Sequence, residues 1–299
     1  MAREGPVSLG AHEATKKNSV ILRMSRFWRQ YRKNRAAVIG LFLLVGVCAV
    51  GLAAPIITWH PPLKSAVGGA FVPPTMGYPF GTDDLGRDIY SNVIYGARTS
   101  LMIGLLAAGI SALIGIFVGA TSGYYGGKID DLLMRTCEVF LVLPTFLLAL
   151  IIVAVFGASI NNIIFAIAIV SWPRTARLLR AEYLTIKERE FVEAATVLGS
   201  RPMDLMFSEI LPNAIFPVIV NASLEVATAI LTEAGLSFLG AGDPSVPSWG
   251  LMLNNAQNYL RVAWWMAAFP GIMLFATCLS LNLVGDGLND YFNPRLKER

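Results

Sequence analysis

The sequence predicts an all-α membrane protein of six transmembrane helices with an N-terminal interfacial helix. Three observations carry that prediction. The chain has 299 residues, is 55% hydrophobic and only 15% charged, where a soluble domain holds about a quarter charged residues. Its mean hydropathy is +0.58. The charges are also missing from long windows: residues 36–57, 99–127, 139–173 and 262–285 carry none, and one crossing needs about 20 such residues.

Each crossing follows from these windows. Residues 36–57 form the first and 99–127 the second. The window 139–173 is too long for one span, and "FGASINN" at 156–162 divides it into a third and a fourth. The fifth, 214–236, is apolar apart from Glu225 and Glu233. The sixth is 262–285. About 35 polar residues precede the first span and no A-x-A-like site follows it, so it reads as a retained span and not a cleaved leader.

Basic residues orient the bundle. The arm 1–35 holds nine Lys or Arg, and residues 122–137, 174–213 and 286–299 add eleven. The opposite loops hold four: Lys64, Arg87, Arg98 and Arg261. By the positive-inside rule both termini are cytoplasmic. Within the arm, Val20, Ile21, Met24, Trp28 and Tyr31 recur at helical spacing among basic residues, the pattern of a helix lying on the inner leaflet. The organisation is then 1–35 as a cytoplasmic arm, 36–98 as first span and exterior loop, 99–285 as a core of five spans, and 286–299 as a cytoplasmic tail. The net charge of +4 follows the membrane and points to no nucleic acid.

Several chemistries are excluded. Cys48, Cys137 and Cys278 sit in or beside apolar segments, and His12 and His60 are the only histidines, so no metal centre or Ser/His/Asp set is expected. "YYGGKID" has Ser122 and Ile129 where a phosphate-binding G-x-x-x-x-G-K-[ST] loop needs Gly and Ser or Thr. The chain is expected to hydrolyse no ATP and to be no enzyme.

One loop is unlike the rest. Residues 174–213 hold six basic and six acidic side chains, a solvated protein surface. Residues 181–198 have helix-forming composition, and Gly199 can adopt the positive φ that ends a helix. Ser200 is placed to cap a second short helix, with Arg201 following, Pro202 in its first turn, then Met203 and Asp204 near the N-terminal dipole. Pro212 is expected to close it. The result is a helical corner suited to docking in a groove of a partner.

"EAATVLG" followed by "ILP" resembles the EAA loop of ABC-importer membrane subunits: Glu193, Ala194, Ala195, Gly199, Leu211 and Pro212 take the motif positions, with Glu209 where Ile is usual. "FGTDDLGRDIYSNVIYGARTSL" (80–101), "GLSFLGAGDPSVPSWGLML" (235–253) and "NLVGDGLNDYFNPRL" (282–296) resemble the C-type permeases of the dipeptide/oligopeptide/nickel subfamily. The resemblance covers most of the chain. It implies a type I ABC importer permease fold whose EAA loop is a cytoplasmic coupling helix. It also implies half of a heterodimeric pore in a bacterial inner membrane, joined by a second permease, two ATPase subunits that bind ATP and Mg, and an external substrate-binding protein. Peptides lead the substrates it implies, with nickel complexes, glutathione or opines as alternatives. A secondary transporter working without an ATPase is the reading from a different class.

Three further groups are candidate sites, two in the exterior motifs and one in the fifth span. Gly81, Asp83, Asp84, Arg87 and Asp88 in the first exterior motif are expected to form a local ion-pair knot. In the second, Pro247 and Trp249 belong to a Gly/Pro-rich stretch readable as a rigid non-helical lid or a packed loop. In the fifth span, Asn221, Glu225, Thr228 and Thr232 fall on one helical face, with Glu233 beside them. That face is expected to line a translocation path, with a polar contact to the second permease as the alternative, and Glu225 is a candidate for attracting a peptide amino terminus.

Overall fold

A computed structural model describes residues 28, 29 and 31–292. Most of the arm, with its expected interfacial helix, and the tail beyond 292 lie outside the described residues. All regular elements described are helical: α1 (Arg35–Ile57), α2 (Ile89–Tyr125), α3 (Gly127–Val142), α4 (Thr145–Phe156), α5 (Ile160–Lys187), α6 (Glu190–Val197), α7 (Pro202–Ala241), α8 (Trp249–Ala256) and α9 (Trp265–Phe292).

Local chemistry sets the boundaries. The Asn34 side chain accepts from the Ala37 N–H and begins α1, while its amide donates to Asp290 Oδ2 at 2.8 Å. One residue thus caps α1 and ties it to α9. Asp88 accepts from the N–H groups of Tyr90 and Ser91 at the start of α2. Gly126, at φ 66°, ends that helix. Ser159 and Ser248 cap α5 and α8.

The core forms where α2, α5 and α7 meet. Gly115, Gly119 and Gly123 line one stripe of α2, and a Cβ on them would lie 2.6 Å from Thr175 Cβ, 2.5 Å from the Ala176 carbonyl and 2.5 Å from Tyr183 Cβ, respectively. Only glycine allows the two backbones this approach, which in a membrane maximises van der Waals contact where no hydrophobic drive acts between helices. α9 and α1 pack around this centre.

The span count needs one revision. α1, α2, α7 and α9 are each long and apolar enough to cross a bilayer. The break at "FGASINN" occurs as expected, between Phe156 and Ile160. A second break upstream was not expected. α4 has only 12 residues, about 18 Å at 1.5 Å per residue, too short for a core of about 30 Å. The third crossing candidate is therefore the α3–α4 pair, bent by 87°. Pro144 causes the bend, because the residue before proline is pushed out of the helical region, and Leu143 sits at φ −77°, ψ 137°. α5, the remaining long helix, is less apolar: it carries Asn161, Asn162, Arg174 and Arg177. It is also sheltered by α2 and α7, so fewer of its positions meet lipid.

Candidate coupling surface and the polar sites of the bundle

The corner begins on α5. That helix runs through the expected loop as far as Lys187, so the polar module is largely an extension of the bundle and not a separate 40-residue excursion. After a break at Glu188 and Arg189, α6 carries Glu193, Ala194 and Ala195. Glu190 and Glu193 occupy its first turn, where the helix dipole favours negative charge.

Gly199 closes α6 at φ 84°. Its N–H donates to the Thr196 carbonyl at 3.0 Å and the Ser200 N–H to the Ala195 carbonyl at 3.1 Å. These two bonds form a Schellman motif, which needs a left-handed residue at the turn. A Cβ at Gly199 would meet nothing within 4 Å. The backbone angle alone demands glycine here.

Two expectations for the next helix are corrected. Arg201, not Ser200, stands at its N-cap position, and its side chain makes no capping bond. Pro202 does occupy the first turn, with Asp204 also in it. Pro212 does not close the helix, which continues as α7 from Pro202 to Ala241. Residues Leu205–Ile210 wind as a π turn in which the Leu211 N–H reaches the Met206 carbonyl. A proline lacks the N–H that would bond one turn back, and the widened turn absorbs the defect.

The corner has an anchored base and an exposed tip. Val192 packs with Leu179, Tyr183, Ile186, Leu205, Met206 and Ile210 in one buried cluster. Tyr183, fully buried, donates its hydroxyl to the Met206 carbonyl at 2.8 Å. At the tip, Val197 is 83% exposed, Leu198 86% and Met203 59%. Glu193, Ala194, Arg201, Pro202 and Asp204 are exposed beside them, and Ser200 and Leu211 half-buried. Three exposed apolar side chains within a charged rim are the composition of a protein-docking surface. Glu193 joins no ion pair among the described residues; it lines a groove with Tyr124, Tyr125, Lys187, Glu188 and Thr196. Lys187 Nζ donates to the Tyr124 carbonyl and lies 5.3 Å from that ring's centroid.

A salt bridge absent from the sequence reading fixes the same end. Arg180 on α5 grips Asp130 on α3 bidentately, Nε and Nη2 each 2.5 Å from a carboxylate oxygen. Ser122 donates to the same carboxylate. The sequence signal was limited to Asp130 and Asp131 set between Lys128 and Arg135.

The polar stripe of α7 divides. Glu225 is buried and turns inward, accepting from Ser111 of α2 at 3.0 Å and Thr175 of α5 at 3.2 Å. Asn221 donates to Thr175 at 3.2 Å. Glu225 and Asn221 therefore join three helices inside this chain, and Glu225 is not on an exposed face. Glu233 is 1% exposed and accepts from Ser237 at 2.7 Å. Thr228 is exposed and Thr232 half-exposed. Asn221, Glu225, Thr228 and Thr232 share one narrow face of the helix, and the division runs along its length, where Ser111 and Thr175 cover Glu225 and leave Thr228 open.

The exterior motifs are also tied differently than expected. Asp83 accepts from the N–H groups of Leu85 and Arg87 at 2.9 and 2.8 Å, and burial pushes its carboxyl above the ordinary range although those bonds, Arg87's first, pull it down. Asp88 caps α2, accepts from Ser91 Oγ and lies 3.3 Å from His60 Nδ1. Arg87 donates to Ser65; Asp84 is half-buried. The knot after Gly81, φ 76°, is thus built from hydrogen bonds to backbone and hydroxyl, with no Arg87–carboxylate ion pair among the described residues. In the second motif, Pro247 is buried and leads into α8, so Trp249 begins a helix and not a non-helical lid. Trp249 is fully buried and donates Nε1–H to the Val93 carbonyl at 3.0 Å.

Comparison with known proteins places this architecture. Residues 112–298 match the family described as "Binding-protein-dependent transport system inner membrane component". Residues 23–74 match the "N-terminal TM domain of oligopeptide transport permease C". A dipeptide transport system permease protein from Escherichia coli is 40% identical over 92% of this chain and 94% of its own length. A di/tripeptide transport system permease from Pseudomonas aeruginosa is 39% identical over 92% and 93%, and a dipeptide permease from Alkalihalophilus pseudofirmus 38% identical over 90% and 89%. Among solved structures, an amino acid ABC transporter chain superposes with a TM-score of 0.50 at 22% identity, covering 69% of this chain and 95% of that one, a likeness of fold. The chain belongs to the family of binding-protein-dependent transport system inner membrane components, as a multi-pass membrane permease.

Proposed function

We propose that this chain is one permease half of an ATP-driven importer of dipeptides and oligopeptides. The observation that carries the reading is the corner itself: an apolar tip of Val197, Leu198 and Met203, turned by Gly199 and backed by a buried cluster continuous with α5 and α7. A surface built so rigidly onto two spanning helices passes force to them when a partner moves it. The partner in this reading is a pair of ATPase subunits, which hold ATP and Mg, while this chain contributes no catalytic group. A second permease completes the pore, and an external binding protein delivers substrate. The named substrates of the relatives support peptides as cargo.

Both termini and the 188–201 corner face the cytoplasm in this reading, supported by the asymmetry of Lys and Arg. The path runs along the Thr228 and Thr232 stretch of α7, with Asn221 and Glu225 fixing the same helix nearer the corner. Purified complex in proteoliposomes, assayed for peptide uptake and ATP hydrolysis, tests the proposal with Gly199→Val, a β-branched residue that the left-handed angle excludes. The expected result is ATP hydrolysis with uptake lost, or failure of the ATPases to assemble. Normal uptake by Gly199→Val, or uptake without any ATPase, overturns it.

A further inference from the structure

An apolar groove runs between α1 and α2 on the flank of the bundle, lined by Cys48 and Leu52 on one side and Met102, Leu105 and Leu106 on the other. Its floor is tight, since a Cβ at Gly51 would lie 3.3 Å from the Arg98 backbone nitrogen. Its walls are exposed: Leu52 is 79% accessible, Leu105 57% and Leu106 48%. The single charged lining residue is Arg98, at the end nearer the 58–88 loop.

The position of Arg98 is unusual. It is exposed, makes no ion pair among the described residues, and stands immediately before the uncharged window 99–127. Below it on the same helix Leu105, Leu113 and Phe117 continue outward at 57%, 69% and 63% exposure. This stripe has no polar member to suit a peptide path, and contrasts with the threonine face of α7. A cation heading an apolar stripe at the edge of a hydrocarbon layer reaches the headgroup region, where lipid phosphates attract it. Trp59, 58% exposed just past the end of α1 and 5.7 Å from the Tyr90 ring, marks the headgroup level on that side.

We infer that Arg98 and the α1–α2 groove bind a phospholipid of the leaflet facing the 58–88 loop, phosphate on the guanidinium and one acyl chain along Leu52, Met102 and Leu105. The guanidinium matches a phosphate in geometry as well as charge. The walls of the groove are exposed, so an acyl chain enters laterally and lies beside the close approach of the two helices at Gly51. The inference needs only the family assignment and not the peptide reading.

The test uses the assembled transporter, purified in detergent and delipidated, with native mass spectrometry counting bound lipid. Dioleoyl-phosphatidylglycerol and dioleoyl-phosphatidylethanolamine are titrated in turn, with dioleoylglycerol as the phosphate-free control. Wild type and Arg98→Lys are expected to retain a lipid that Arg98→Ala binds about fivefold more weakly. Leu105→Trp, which fills the groove and keeps the charge, is expected to lose it too, and dioleoylglycerol to show no difference between wild type and Arg98→Ala. Equal phospholipid binding by wild type and Arg98→Ala overturns the inference. So does efficient cross-linking of Met102→Cys to the second permease, which would show a protein occupant.

Discussion

Tyr183 on α5 donates its hydroxyl hydrogen bond to the Met206 carbonyl in the π turn of α7, at 2.8 Å and out of contact with water. The same carbonyl accepts the Leu211 N–H. One oxygen thus joins the two helices that leave the corner in opposite directions. Any displacement of the tip must move α5 and α7 together or break this bond.

Removing the hydroxyl alone measures the tie. Tyr183→Phe is expected to cost about 1 kcal/mol of stability, the usual net worth of one such bond. Tyr183→Ala also empties a buried ring site and is expected to cost about 3–5 kcal/mol. Thermal unfolding of the purified complex reads both, and in transport assays Tyr183→Phe should raise the ATP consumed per peptide imported.

At Gly199 the neighbours leave open space and the φ of 84° is the only constraint. A side chain in that region costs roughly 1–2 kcal/mol, and asparagine tolerates it best. Uptake is therefore expected to fall in the order Gly, Asn, Ala, Val. A steric explanation would instead rank Ala above the larger Asn.

Glu225 serves three helices. Glu225→Ala leaves the hydroxyls of Ser111 and Thr175 without their acceptor, a loss of about 1–3 kcal/mol. Glu225→Gln keeps an acceptor oxygen and should be milder. Competition assays with peptides of different amino termini are expected to give the same preference order in Glu225→Gln as in wild type, because the side chain faces helices. A changed preference would put Glu225 on the path.

The Arg180–Asp130 pair holds the bent α3 to α5. Asp130→Asn leaves the guanidinium without its carboxylate and is expected to cost about 2 kcal/mol, the scale of a charged hydrogen bond. A double-mutant cycle with Arg180→Gln should show that the two losses are not additive.

Gly250, the second residue of α8, packs against α7, where a Cβ would lie 2.5 Å from the Ala234 carbonyl. Gly250→Val is expected to unseat Trp249, exposing its indole to collisional quenchers, with lower yield of assembled complex. Gly46, with nothing within 4 Å of a Cβ, should accept valine.

The corner was readable from sequence because its determinants are local: a left-handed glycine and a first-turn proline act within a few residues. Pro212 misled for the same reason, since a proline reads as a stop unless the π turn that absorbs it is seen. Leu143–Pro144 went unread as a bend because apolar composition continues across it. The partners of Glu225, 114 and 50 residues away at Ser111 and Thr175, belong to other helices, and no periodicity within α7 reports them. Asp130 and Arg180 met for the same long-range reason.

The central claim is that the exposed tip beside Gly199 is where an ATPase subunit grips this chain. Leu198→Cys in the assembled transporter, treated with a short bifunctional thiol reagent, tests it directly against cysteines placed across the ATPase surface. The account predicts efficient cross-links to the ATPase, and uptake that stops once the link locks the joint. No cross-link to the ATPase in any nucleotide state, in a complex still importing peptide, would contradict it.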